Sequence, residues 1–177
     1  MPRRLQSPSS INMYKQCARK YFYRYLKRLP TKPSIHLVRG SVAHKVLEDF
    51  YDLEVDDYDV DIRMTFMQAM IRMLKQYWDD SASQLAKLDM EKEEIAQFYE
   101  ETQLMLINWF EIFWEKFQKQ IKLGLSQSEA FKKVTPKREA LYKFMDVGIQ
   151  GYIDVIEYEG DEVNLMDYKT SKKFKKC

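Results

Sequence analysis

Apolar residues recur every three or four positions along most of this chain, and every second position only beyond about residue 137. The first spacing predicts helices and the second predicts strands. After a loose arm over residues 1–8, Ser7-Pro8-Ser9-Ser10 offers N-cap candidates. Ile11, Tyr14, Cys17, Ala18, Tyr21, Phe22 and Tyr25 then keep helical spacing to Leu26. Pro30 and Pro33 break that helix. A second helix is expected from Leu37 to Leu53, and an acidic loop from Glu54 to Asp61 ends in an N-cap for the third. The third runs to about Trp78, where Asp79-Asp80-Ser81 is expected to interrupt it. Ile95, Phe98, Thr102, Met105, Leu106, Trp109, Phe113, Phe117 and Ile121 mark one long helix from Met90 to Leu123, with Gly124 as its C-cap. Residues 60–125 therefore read as a helical insertion over a core, and Ser126–Lys133 as a short helix or turn.

The strand region divides into Arg138–Asp146, Val147–Tyr158 and Glu162–Thr170, with Glu159-Gly160-Asp161 as the turn of the last hairpin. Alternation puts Gln150, Tyr152, Asp154 and Ile156 on one face of their strand. Asp167 and Lys169, two apart, share a face of the next. The hairpin can thus bring two carboxylates and an ammonium together, a plausible metal site with a water-orienting cation beside it. Within the second helix, Gly40, His44 and Glu48 follow at i, i+4 intervals along one face. His44 is a candidate metal ligand, with Glu48 as its partner or as another ligand. Glu139, near the start of the first strand, is a weaker candidate for the same site.

Composition narrows the class. The 177 residues are 45% hydrophobic and 32% charged, a globular balance for one domain over residues 1–177. No run has the apolar length of a membrane span, and no secretory signal opens the chain. A net charge of +2 gives no overall basic field, so any nucleic-acid contact must come from local patches. Arg19, Lys20 and Arg24 stand among Tyr21, Phe22, Tyr23 and Tyr25, and Lys172 and Lys173 lie in a basic tail. Such mixtures suit phosphates and bases, although an amphipathic helix with a tyrosine-rich core face and a solvated basic face is the simpler expectation for the first. Cys17 and Cys177 lie far apart, which argues against a disulfide framework and for a reducing, cytoplasmic setting.

Three separated pieces share one pattern: Ser9-Ser10-Ile11-Asn12-Met13-Tyr14-Lys15-Gln16-Cys17-Ala18-Arg19-Lys20-Tyr21-Phe22-Tyr23, then Arg39-Gly40-Ser41-Val42-Ala43-His44-Lys45-Val46-Leu47-Glu48, then Gly151-Tyr152-Ile153-Asp154 with Asp167-Tyr168-Lys169-Thr170. In type and order they resemble the PD-(D/E)XK nuclease superfamily, in the branch of RecB-like nuclease domains and CRISPR-adaptation exonucleases. The resemblance implies an α/β restriction-endonuclease-like core, a small mixed sheet flanked by helices, with residues 137–170 as the catalytic hairpin region. It implies Mg²⁺ or Mn²⁺ held by His44, Asp154, Asp167 and the backbone carbonyl of Tyr168, with Lys169 orienting or deprotonating water. It further implies DNA as partner, single-stranded or as double-stranded ends, exonuclease more than endonuclease action, a helicase or CRISPR-adaptation partner, and no membrane. A DNA-binding module of the same fold that does not cut is the alternative; a helical adaptor built on residues 60–125 is a third reading.

Two departures accompany the resemblance. The family continues past the lysine strand with a helix carrying Q-x-x-x-Y, whereas Cys177 stands eight residues after Lys169, so a C-terminally truncated domain is expected. Part of the branch also carries a 4Fe-4S cluster whose first cysteine matches Cys17. The other three would have to come from a C-terminal extension, and without one Cys17 is expected to be a buried thiol.

Overall fold

The computed structural model describes residues 4–159 and 162–168, without the side chains of Glu139 and Glu159. It is a mixed α/β structure in two compact units. Of the described residues, the first comprises those up to Lys32 together with Lys137–Asp167, and the second Pro33–Pro136 with Tyr168.

In the first unit, α1 spans Pro8–Gln16. Ser7 caps it in a reciprocal capping box with Ser10, and Pro8 takes the first turn, where its missing N–H costs nothing. The helix expected to continue to Leu26 breaks at Cys17, whose backbone is extended (φ −164°, ψ 106°). There the Cys17 Sγ accepts from Lys20 N at 3.4 Å and caps α2, Ala18–Tyr21. A π-helical turn, Phe22–Leu26, follows. Cys17 is exposed, which corrects the expectation of a buried thiol. The expected tyrosine core face is corrected too, because no residue of α2 or the π turn is buried.

Three antiparallel strands form the sheet in the order β1-β2-β3: β1 Lys137–Phe144, β2 Ile149–Glu159 and β3 Glu162–Met166. Met145–Gly148, expected as strand, is a turn closed by Gly148 N to Met145 O at 3.2 Å. Gly148 has φ +71°, a conformation that side chains disfavour, so the pairing stops there. The arm is not loose. Gln6 makes an isolated parallel bridge to Ile149, donating to Gly148 O and accepting from Gln150 N. Pro8 packs beside Gly151, so α1 rests on β2.

In the second unit, α3 (Ile35–Asp49) ends in a 3₁₀ turn, Phe50–Asp52, and α4 spans Ile62–Asp80. Asp79 and Asp80 extend α4 rather than interrupting it, since Lys75 pairs with Asp79 one turn away at 2.7 Å. After the short α5 (Ala82–Leu85), α6 covers Lys92–Lys122, and Gly124 at φ +92° follows its end as expected. The last helix, α7, is Gln127–Val134. Asp61 makes no side-chain cap on α4. The capping of the acidic loop falls instead on α7, where Asp57 accepts from Ser128 N at 2.6 Å and from its hydroxyl at 3.0 Å. That backbone bond holds the Asp57 carboxyl below its usual range.

Buried faces of α3, α4, α6 and α7 meet around Phe50. Its ring contacts Phe66, Trp109, Phe110, Phe113 and Phe131 at centroid distances of 4.9 to 6.3 Å. Nearly all of these are tilted or edge-on, as ring quadrupoles prefer. Arg39, buried on α3, donates to Glu101 of α6 at 3.2 Å, and Tyr77 of α4 donates to Asp49 of α3.

Phe50→Ala is expected to cost about 3–5 kcal/mol of stability in urea titration, because it empties the centre of the cluster. The Asp49 hydrogen bond, and then burial, push the Tyr77 phenol up to about 12. The folded chain thus holds this proton more tightly than the unfolded one, where tyrosine titrates near 10. Its stabilising share is full below about pH 10 and is lost as pH rises toward about 12. Wild type should lose more stability than Tyr77→Phe between about pH 9.5 and 11.5.

Candidate active site

The strand register decides where the acidic side chains of the first unit stand. Val155 of β2 pairs with Met166, the last residue of β3, so Asp154 and Asp167 are the next residues beyond the final pair, where a continued register would oppose them. On the other flank, Arg138 pairs with Val155 and Ala140 with Ile153, which leaves Glu139 opposite Asp154. Glu139 of β1 and Asp154 of β2 therefore hold adjacent backbone positions, and Asp167 follows the last residue of β3. Asp154 is half-buried and Asp167 exposed.

In the second unit, the period of α3 puts Val42, Val46 and Leu47 into the core and leaves His44 half-buried and Glu48 exposed. His44 Nε2 stands 3.1 Å from the backbone carbonyl oxygen of Tyr168, 124 residues away. The same residue is held at two further points. Its ring meets the His44 ring edge-on at 6.1 Å, and Trp109 Nε1 of α6 donates to its hydroxyl at 3.3 Å. Trp109 is itself stacked on Phe113 at 5.8 Å, which ties this corner to the aromatic core. A cavity of about 80 Å³ opens here, walled by Ala43, His44, Leu47, Met105, Leu106, Trp109 and Tyr168.

An imidazole nitrogen and a carbonyl oxygen 3.1 Å apart form a hydrogen bond when Nε2 carries the proton. Two adjacent ligands at about 2.1 Å from an octahedral ion stand about 3.0 Å apart, so the same spacing suits joint coordination. Within the second unit, a carbonyl oxygen and one imidazole nitrogen are both donors that a divalent transition-metal ion accepts. Among the described residues, no group of three or more His, Cys, Asp or Glu stands as a metal site does. What converges within each unit is the Asp154–Asp167 pair of positions in one, and His44 with the Tyr168 carbonyl in the other.

Lys169, Lys172, Lys173, Cys177 and the Gly160-Asp161 turn lie outside the described residues, as does the Glu139 side chain. Arg19 and Arg24 lie on the exposed N-terminal helices; Arg19 rides over the Tyr23 ring, whereas Arg24 donates to Thr31. Lys20 is exposed as well. Sequence reading missed the contribution of Trp109, which belonged to a core stripe by spacing and gave no sign of its bond to Tyr168. It also missed Gln6, whose backbone extends the sheet.

The model of the PD-(D/E)XK nuclease superfamily matches residues 6–176, and the chain belongs to that superfamily. No curated protein and no solved structure matches it. Membership supports a nuclease-type function, and nucleases of this kind typically use divalent metals. No helix among the described residues is long and apolar enough to cross a membrane.

Tyr168→Phe keeps the ring and removes the bond from the Trp109 indole. It should lower stability by about 1 kcal/mol in urea titration, with the tryptophan emission altered.

Proposed function

We propose that the chain is a Mg²⁺- or Mn²⁺-dependent deoxyribonuclease of the RecB-like kind that works from DNA ends. Repair, recombination or CRISPR adaptation is its setting, beside a helicase or an adaptation partner. The observation that supports the reading is the register that ends with Val155 on Met166, because Asp154 of β2 and Asp167, just past β3, are the next residues on either side of that pair. A pair of carboxylates at one level of a sheet is a poor device for binding phosphate and a good one for a hard cation. His44 and the Tyr168 carbonyl supply the remaining donors in this reading, with Glu48 and Glu139 as neighbours that orient or extend the set. The branch assignment rests on His44 within Arg39-Gly40-Ser41-Val42-Ala43-His44 and on the motif around Tyr14–Tyr23.

When bound, the cation polarises the scissile phosphate and offsets charge in the in-line displacement. Asp154 and Asp167 fix where that charge is met. Lys169 holds the attacking water by hydrogen bonding and favours the developing hydroxide by its charge.

The test uses end-labelled single- and double-stranded DNA with either metal. Linear DNA should be degraded and closed circles spared. Asp154→Ala, Asp167→Ala and Lys169→Ala should each lower the rate by about a hundredfold or more. Calorimetry with Mn²⁺ should show affinity reduced by about tenfold or more in His44→Ala. No hydrolysis with either metal, together with DNA binding that weakens with salt, would replace this reading with the module that does not cut.

A further inference from the structure

The N-terminal segment carries a charge pattern that the metal site does not use. Between residues 4 and 32 stand eight Lys and Arg and no Asp or Glu; the first acid of the whole chain is Glu48. The structure sorts the aromatic rings of this segment into two groups. Tyr21 and Tyr25 are anchors, their rings tilted against each other at 5.3 Å and bonded through their hydroxyls to Gln6 and Ser9. Phe22 and Tyr23 point outward, each 40% exposed, with their rings 5.5 Å apart. Cations ride over both faces: Arg19 lies 5.8 Å from the Tyr23 ring centre and Lys27 lies 5.7 Å from that of Phe22.

The backbone beneath these rings is costly. Phe22–Leu26 is a π-helical turn, a geometry rare in itself and common at functional sites. Two residues past it Arg28 stands at φ +53°, uncommon for a long side chain, where Leu29 N closes on Tyr23 O at 3.0 Å. Neither α2 nor the π turn buries a single residue, so core packing offers no return for that strain. The segment is nevertheless fixed on the sheet that carries Asp154, through the Gln6 bridge and the contact of Pro8 with Gly151.

We propose that Phe22 and Tyr23, with Arg19 and Lys27 over them, form a stacking platform for single-stranded DNA. Exposed rings take the faces of unpaired bases, and a duplex hides those faces in its own stack. Guanidinium and ammonium groups beside the rings neutralise the phosphates between successive bases, and no carboxylate opposes them. A protein partner would have to match a segment that carries eight cations and no acid, whereas a nucleic-acid strand supplies its negative charge at every step. The inference deepens the nuclease reading by naming the strand state of its substrate, and rests on that reading for what lies downstream of the platform.

The test is fluorescence anisotropy of the full chain with a labelled oligonucleotide of about 20 nucleotides, single-stranded or annealed, in EDTA so that cleavage plays no part. Wild type should bind the single strand more tightly than the duplex. Phe22→Leu combined with Tyr23→Leu should weaken single-strand binding by about tenfold or more and leave duplex binding within about twofold. Phe22→Tyr with Tyr23→Phe keeps both rings and should keep the affinity. Arg19→Gln with Lys27→Gln should flatten the salt dependence by about 1.4 in log–log slope. Equal affinity for single strand and duplex overturns the proposal, as does full single-strand affinity in a leucine variant whose circular dichroism is native. If that variant misfolds, 2-aminopurine in the oligonucleotide decides: quenching on binding to wild type supports stacking, and its absence overturns it. Ring-dependent binding without metal-dependent cleavage would sink the nuclease reading alone; cleavage without ring-dependent binding would sink this inference alone.

Discussion

Everything the first unit offers to chemistry depends on the hydrogen-bonded pairing of β2 with a neighbour on each side. β2 is the longest strand, and its partners run antiparallel to it. Side chains alternate with period two, so a slip of one residue on the β1 flank would replace Glu139 opposite Asp154 by Arg138 or Ala140. The turn at Met145–Gly148 fixes one register through the left-handed glycine, and the Gln6 bridge holds the start of β2 from the opposite edge. The places of Asp154 and Asp167 thus follow from backbone pairing around Val155 and Met166.

The second unit solves a different problem. Its helices need a common core, and the rings around Phe50 supply it. Fixing that core orients α3 so that His44 stays at the margin, half-buried, while α6 holds Trp109 against Tyr168. A polar contact at the edge of a packed aromatic cluster is shielded from water on one side, which strengthens it. The carbonyl of Tyr168 is therefore held by packing as much as by the bond to His44.

The N-terminal segment runs counter to both units' economy. It exposes rings and keeps a strained turn, against the usual consistency of local and global preferences. Such departures concentrate where a chain meets something other than itself.

Much of this was legible in the residues. The period of α6, the glycine after it and the helix carrying Gly40, His44 and Glu48 follow from spacing, because core burial imposes a helical repeat on sequence. The motif Gly151–Asp154 with Asp167–Thr170 carried the superfamily, since short chemical motifs survive without reference to packing. Where local signals compete, the residues misled. Asp79 and Asp80 look like a break but join a helix through a lysine one turn back. Cys17 has helical spacing but an extended backbone, and the acidic loop caps α7 instead of the helix it precedes. Sequence by itself determined the element types, the candidate ligands and the family. Only tertiary structure decided which strand positions oppose each other, that Tyr168 meets His44, and which of the N-terminal rings face outward. Those depend on contacts between residues far apart in the chain, and local propensity carries no record of them.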